Sequence, residues 1–189
     1  MRIRKKKNTD FPGTAIVRRI MNKEPFLYSC AIILLLSCGK KEEHSFQLPE
    51  NAEFLLASDS AKTWKLAGRF NNKTRMNMGD CFLSYRSTYR RDMRMQDNSG
   101  DERDCGQSLK AAWKFAKDLK GNYYIKLSSQ QLRELMNSKN DFKLFKVLRL
   151  SQEQMTLQYR HQQFSNKFTT ITDIYVPEGD RVEGRIFHW

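Results

Sequence analysis

The sequence predicts an all-β domain, an antiparallel up-and-down β-barrel of about eight strands. Three observations predict it. From residue 63 onward, apolar residues recur at every second position in short segments, the strand signal. Turn residues bound those segments with tight connections, and no long helical pattern separates them. Strands that are apolar on one phase only suit a sheet that closes on itself and leaves no edge. A two-sheet sandwich fits the same periodicity nearly as well.

The elements run in order along the chain. Residues 63–70 set Trp64, Leu66 and Phe70 on one face and Lys65 and Arg69 on the other. Residues 81–95 read as one strand, with Cys81, Leu83, Tyr85, Tyr89, Met93 and Met95 opposed by Arg86, Arg90, Asp92 and Arg94. The acidic stretch 97–104 is a flexible turn. Leu109, Ala111, Trp113 and Phe115 alternate next, up to a turn over 118–122 that holds Gly121. Tyr123, Ile125 and Leu127 then return as the second arm of a hairpin. Residues 130–136 fit a helical turn or a strand. Segments 142–150, 155–159, 168–176 and 181–189 complete the series, with breaks at 151–154, 161–166 and 177–180. In the last segment Val182, Gly184 and Ile186 alternate with Arg181, Glu183 and Arg185.

The N-terminus is different in kind. Residues 1–25 are basic, and residues 26–36 (FLYSCAIILLL) form an uncharged apolar run of 11. A helix needs about 20 apolar residues to cross a bilayer, so this run is too short. A basic leader before a short apolar core has the layout of an export signal. Met21 offers a second start with a compact signal of its own. Leu35-Leu36-Ser37-Cys38 resembles the lipobox of bacterial lipoproteins, which implies cleavage before Cys38 and a diacylglyceryl group on its thiol. Acyl chains anchor firmly, at about 0.8 kcal/mol per buried CH₂. A cysteine buried in an apolar helix is the plainer reading, but the run stops at once in Gly39, Lys40 and Lys41. The block Lys40-Lys41-Glu42-Glu43 resembles the tags of surface-exported lipoproteins in Bacteroidetes-type Gram-negative bacteria. An ordinary solvated tether has the same composition, so surface and periplasmic orientations both stay open. The expected organisation is a signal peptide over 1–37, a lipidated flexible tether over 38–60 with a short helix or clasp at 54–56, and a barrel domain over 61–189. The expected location is the cell envelope, lipid-anchored at the outer membrane.

Composition narrows the function classes. The formal charge of +13 is shared with the leader, which holds 8 basic and 2 acidic residues. The remaining 152 residues keep 26 basic against 19 acidic, a net of +7. No basic stripe interleaved with aromatics marks a nucleic-acid face. Such a surface suits anionic lipid, polysaccharide or acidic ligands instead. Of the four cysteines, Cys30 leaves with the signal and Cys38 takes the lipid, so Cys81 and Cys105 remain as one pair. Beyond the cytoplasm such a pair is usually a disulfide. No metal site is expected, because His44, His161 and His188 have no ligand spacing with these thiols. No cofactor is expected either, since no phosphate-cradling glycine loop occurs. Asp80 and Asp173 are carboxylates that nothing in the sequence brings together.

Trp64-Lys-Leu66, Gly79-Asp80-Cys81, Tyr85, Tyr89, Cys105, Trp113 and Gly121 before Tyr123-Tyr124-Ile125 resemble the lipocalin-like domains of bacterial lipoproteins. Leu150-Ser151 with Met155 and Leu157 is similar to their late hairpins. The resemblance spans roughly residues 61–189 and departs from the usual pattern at Lys62, which stands where members carry glycine. It implies Trp64 at the barrel floor and a non-catalytic pocket for a small apolar or amphipathic ligand, lined by Tyr85, Tyr89, Trp113, Phe115 and Tyr123. The alternative is a structural lipoprotein whose filled barrel displays loops to an envelope or host partner. An envelope hydrolase is the third reading, and it lacks any catalytic constellation.

Overall fold

The structure is a computed structural model that describes residues 46–135, 139–162 and 166–186. Cys38 and the leader lie outside the described residues. The described chain begins with Phe46 and Leu48 packed on the core, then forms helix α1 (Ala52–Ala57). Strands β1 (Ala61–Asn71) and β2 (Thr74–Arg75) come next, then helix α2 (Asp80–Ser84). Beyond it lie β3 (Arg86–Arg90), β4 (Arg94–Asp97), β5 (Lys110–Lys117) and β6 (Tyr123–Ser128). Helix α3 (Gln131–Leu135) precedes β7 (Phe142–Leu150), β8 (Met155–Gln162) and β9 (Phe168–Pro177).

The sheet is a closed antiparallel barrel. Neighbours along the chain pair from β3 to β9, and β9 returns to β1 with Trp64 opposite Pro177 and Asn71 opposite Ile171. Eight strands make the barrel, and the two-residue β2 is an added strand on the end of β1. Closure settles the choice between barrel and sandwich, because β1 meets β3 on one side and β9 on the other.

One end of the barrel is filled. Trp64 and Leu66 on β1, Ile125 on β6, Val147 on β7 and Met155 on β8 are all fully buried there. Helix α1 closes this end with Leu55, Leu56 and Ala57. A helix leaves its last carbonyls without internal partners, so a buried C-terminus needs donors from elsewhere. Here Trp64 Nε1 donates to Leu56 O at 2.9 Å and Lys62 Nζ donates to Leu55 O at 3.1 Å. Lys62 also lies over the Trp64 ring at 4.1 Å and donates to Gln152 O at 2.8 Å. Lys62 is therefore part of the closure. Residues 46–57, read from sequence as the end of a tether, supply core side chains.

Two expected strands are corrected. Residues 81–95 are not one strand: Phe82 N–H and Leu83 N–H bond back to Gly79 O and wind α2, so Cys81 and Leu83 sit on a helix. The rest is the hairpin β3–β4, turned where Met93 adopts a φ of 62°. Residues 181–186 form no strand, because β8 and β1 already occupy both edges of β9. Residues 187–189 lie outside the described residues. The ambiguous 130–136 segment is helical over α3.

Candidate functional site

The other end of the barrel is hollow. A cavity of about 360 Å³ opens between α2, the β4–β5 connection and α3. That volume lies at the small end of the ~300–1,000 Å³ usual for ligand pockets. The Cys81–Cys105 disulfide ties α2 to the β4–β5 connection at this rim, with Cα atoms 5.3 Å apart. Both cysteines line the cavity.

The deepest polar feature is an ion pair. On β1, the register shifts between Leu66 and Gly68, which marks a bulge at Ala67. A bulge reverses the alternation of the residues beyond it and re-aims their side chains. Arg69 therefore points into the barrel, although unbroken alternation from Trp64 assigns it to the outer face. Its Nε donates to Asp173 Oδ1 at 2.6 Å and its Nη2 to Asp173 Oδ2 at 2.7 Å, a bidentate pair. Asp173 is 1 % exposed, the only charge on β9 and inward on its strand. Tyr175 Oη donates to Asp173 Oδ2 at 3.3 Å, and Arg69 Nη2 donates to Tyr159 Oη at 3.2 Å. Phe82 covers the guanidinium at 4.2 Å. Burial alone would lower the Arg69 pKa, but the bond and charge of Asp173 outweigh it and raise it.

Lys143 lies beside this pair. It faces Leu127 across the β6–β7 ladder and lines the cavity, its Nζ 4.2 Å over the Tyr159 ring and 5.1 Å over that of Phe145. Among the described residues no carboxylate forms an ion pair with it. Burial pulls its pKa down to about 8; Asp173 raises it and Arg69 lowers it further. The nearest carboxylate is thus already bound by another cation. Asp97, the cavity's other acid, accepts from the N–H groups of Ser99 and Leu109, each at 3.1 Å, and from Tyr85 Oη at 3.4 Å. Ser87 Oγ is buried on the cavity wall with no hydrogen-bond partner among the described residues.

Four tyrosines surround these charges. Burial, the largest cause, raises the pKa of Tyr85, Tyr89, Tyr159 and Tyr175, with Asp97 or Asp173 adding to it. All four stay neutral near pH 7 and present hydroxyls on apolar bodies. Leu127, Leu157, Met95 and Leu109 supply the rest of the apolar wall.

The expected lining residues divide. Tyr85 and Tyr89 line the cavity. Trp113, Phe115 and Tyr123 do not, which corrects their assignment. Trp113 fills the closed half: its Nε1 donates to Arg90 O at 3.1 Å, and its ring meets Tyr89 and Phe115 edge-on at 6.1 and 5.8 Å. Tyr123 sits at the closed end against Phe46, their centroids 6.4 Å apart. Trp64 is at the floor, 0 % exposed. Asp80 is exposed on α2 and Asp173 is buried with Arg69, so the two carboxylates form no pair. Among the described residues no group of three His, Cys, Asp or Glu is placed to hold a metal. No family model and no curated protein matches the chain.

Sequence reasoning missed Arg69, Lys143, Tyr159, Asp173 and Tyr175. Asp173 carried a signal: a lone acid in a ten-residue strand otherwise free of charge.

Proposed function

We propose that this chain is a lipid-anchored envelope lipoprotein whose lipocalin-like barrel binds a small amphipathic anion without chemical conversion. One observation carries the ligand reading. Lys143 faces a half-open apolar cavity, and its nearest carboxylate is held by Arg69. A buried cation without a counter-ion costs free energy that an incoming carboxylate, sulfonate or phosphate offsets. The ligand's apolar part then lies against Tyr89, Met95, Leu127 and Leu157, and Ser87 Oγ offers it a polar contact. The anchor rests on the lipobox-like sequence ending in Cys38.

The ligand reading is tested with the full chain and anilinonaphthalene sulfonate, an apolar anion, beside a neutral dye of similar size. The sulfonate should bind and lose about tenfold or more in affinity in Lys143→Met, while the neutral dye changes little. A folded, oxidised protein that binds neither dye returns the barrel to the scaffold reading. The anchor is tested by labelling with a clickable fatty acid. Cys38→Ala should lose the label, and a mutant that keeps it contradicts the anchor.

A further inference from the structure

The closed end of the barrel divides by charge. Its β3–β4 and β5–β6 turns lie side by side, because β4 pairs with β5. They and their flanks present Arg90, Arg91, Arg94, Lys114, Lys117 and Lys120, all exposed. The acids among them are engaged: Asp92 lies 3.9 Å from Arg94. Asp118 accepts from the N–H groups of Lys120 and Asn122 at 2.9 and 2.8 Å. The opposite sector carries Glu53 on α1, Glu153 in the β7–β8 turn, and Glu178 and Asp180 beyond β9. Exposed Arg149 and Arg181 stand among those acids, so the excess of cations lies on the side of the β3–β4 and β5–β6 turns.

At the tip of the basic side is Leu119, fully exposed between Lys117 and Lys120 in a turn closed by Asp118. A single exposed leucine is ordinary on a protein surface. A leucine held at the apex of a rigid turn and ringed by lysines has the layout of an interfacial wedge, with an apolar tip below a basic collar. The chain supplies a second observation. Phe46, where the described chain begins, packs on Tyr123, four residues from Leu119 in the same hairpin, and Lys117 Nζ lies 4.8 Å over the Tyr123 ring. Phe46 lies eight positions after Cys38, and a fully extended stretch of that length reaches at most about 29 Å. The barrel thus receives its tether on the basic side, within short reach of any lipid on Cys38.

We propose that this basic sector, with Leu119 at its tip, docks on an anionic lipid surface and turns the cavity mouth away from it. The local concentration comes from the anchor, so the proposal rests on that part of the proposed function and not on the ligand. Each cation held near an anionic bilayer raises partitioning about fivefold, and salt weakens the effect. Docking sets an orientation: α2, α3 and the disulfide rim the opposite end of the strands and stay open to solvent.

The test uses the full chain with Leu119→Trp, bound to vesicles of brominated lipid that either contain phosphatidylglycerol or are pure phosphatidylcholine. Wild-type protein gives the tryptophan background, and pelleting reports attachment. The expected result is that the added indole shifts to the blue and is quenched on the anionic vesicles. On neutral vesicles, or at high salt, it should not be. Adding Lys114→Glu, Lys117→Glu and Lys120→Glu should remove the quenching without loss of pelleting. Protein that pellets with anionic vesicles while the indole stays unquenched overturns docking and leaves the anchor standing. Equal quenching on both lipids overturns the electrostatic basis. Failure to pellet with any vesicle overturns the anchor and docking together. An unquenched indole that shifts only on addition of an acidic polysaccharide overturns the lipid assignment in favour of that partner. Binding of the sulfonate dye to the same protein reads the cavity separately.

Discussion

The two halves of the barrel use the same strands for opposite ends. At the closed half the fully buried side chains are apolar, and the two buried indoles each donate to a main-chain carbonyl, Trp64 to Leu56 and Trp113 to Arg90. At the open half, the inward positions of β1, β7 and β9 carry Arg69, Lys143 and Asp173. Burial of apolar surface stabilises, whereas burial of charge at best breaks even. The difference teaches where the fold gets its stability and where it gives some up. A closed half that tightens the sheet allows the other half to hold buried charges.

The largest effect is expected where the closed half is opened. Trp64→Ala removes a fully buried indole and leaves a cavity beneath α1, a change that costs about 3–5 kcal/mol. Thermal unfolding should show it as a large drop in Tm. Trp64→Phe should lose less, because a phenyl ring keeps most of the buried contacts while the bond to Leu56 O and part of the ring volume are lost. Equal losses in the two variants would mean that the hydrogen bond, not the packing, holds the floor.

In the open half, the comparable change is Asp173→Asn, which strands Arg69 beside Lys143. Breaking one side of a buried pair costs about 3 kcal/mol or more. The double variant Arg69→Met with Asp173→Leu should regain most of that loss, since the pair itself contributes little net stability. Denaturant unfolding of the two single variants and the double variant decides the matter. A double variant as unstable as Asp173→Asn would show that the pair stabilises the barrel and is more than a feature of the site.

The rim should respond more mildly. Replacing Cys81 and Cys105 by serine releases a crosslink of sequence separation 24, worth about 3 kcal/mol or less in the chain-entropy model. Because the bridge ties α2 to the β4–β5 connection, hydrogen exchange should quicken there and stay unchanged on α1. Faster exchange throughout the barrel would mean that the two halves are not separable in stability.

These two halves were unequally legible in the sequence. The closed half came from strict alternation: Ala111 and Trp113 on β5, Ile125 on β6 and Trp64 and Leu66 on β1 are buried on the expected phase. The open half was hidden by backbone irregularity and by strands that are apolar on both phases. The bulge at Ala67 exchanges the faces of Arg69 and Phe70, and nothing in the local sequence marks it. On β7, Phe142 and Leu144 compete with Phe145 and Val147 for the interior, and the structure selects the phase that carries Lys143 inward. Likewise β9 has Ile174 and Val176 outside and Asp173 and Tyr175 inside. Where both phases are apolar, only the register with neighbouring strands decides which one is buried.

The smallest effect separates the charge of Lys143 from its bulk. Its folded-state pKa is near 8, and an unfolded lysine titrates near 10.5. Below about pH 8 both states hold the proton, and the folded state bears the whole cost of a buried ammonium. Between about 8 and 10.5 the folded state releases a proton that the unfolded chain keeps, so unfolding free energy rises with pH. Above about pH 10 the tyrosines reverse the slope. Tyr85, Tyr89, Tyr159 and Tyr175 have raised folded-state pKa values, so the unfolded chain ionises first and stability falls. The window for Lys143 is therefore about pH 8–10. Lys143→Met removes the charge and keeps an unbranched apolar stem, and should stabilise the protein by about 1–2 kcal/mol at pH 7. That gain should shrink steadily from pH 8 to pH 10 as the wild-type amine becomes neutral. A gain independent of pH would assign the effect to packing against Tyr159 and Phe145. A loss of stability at pH 7 would mean that the ammonium already has a counter-charge in the ligand-free protein, and the cavity would then need no anion.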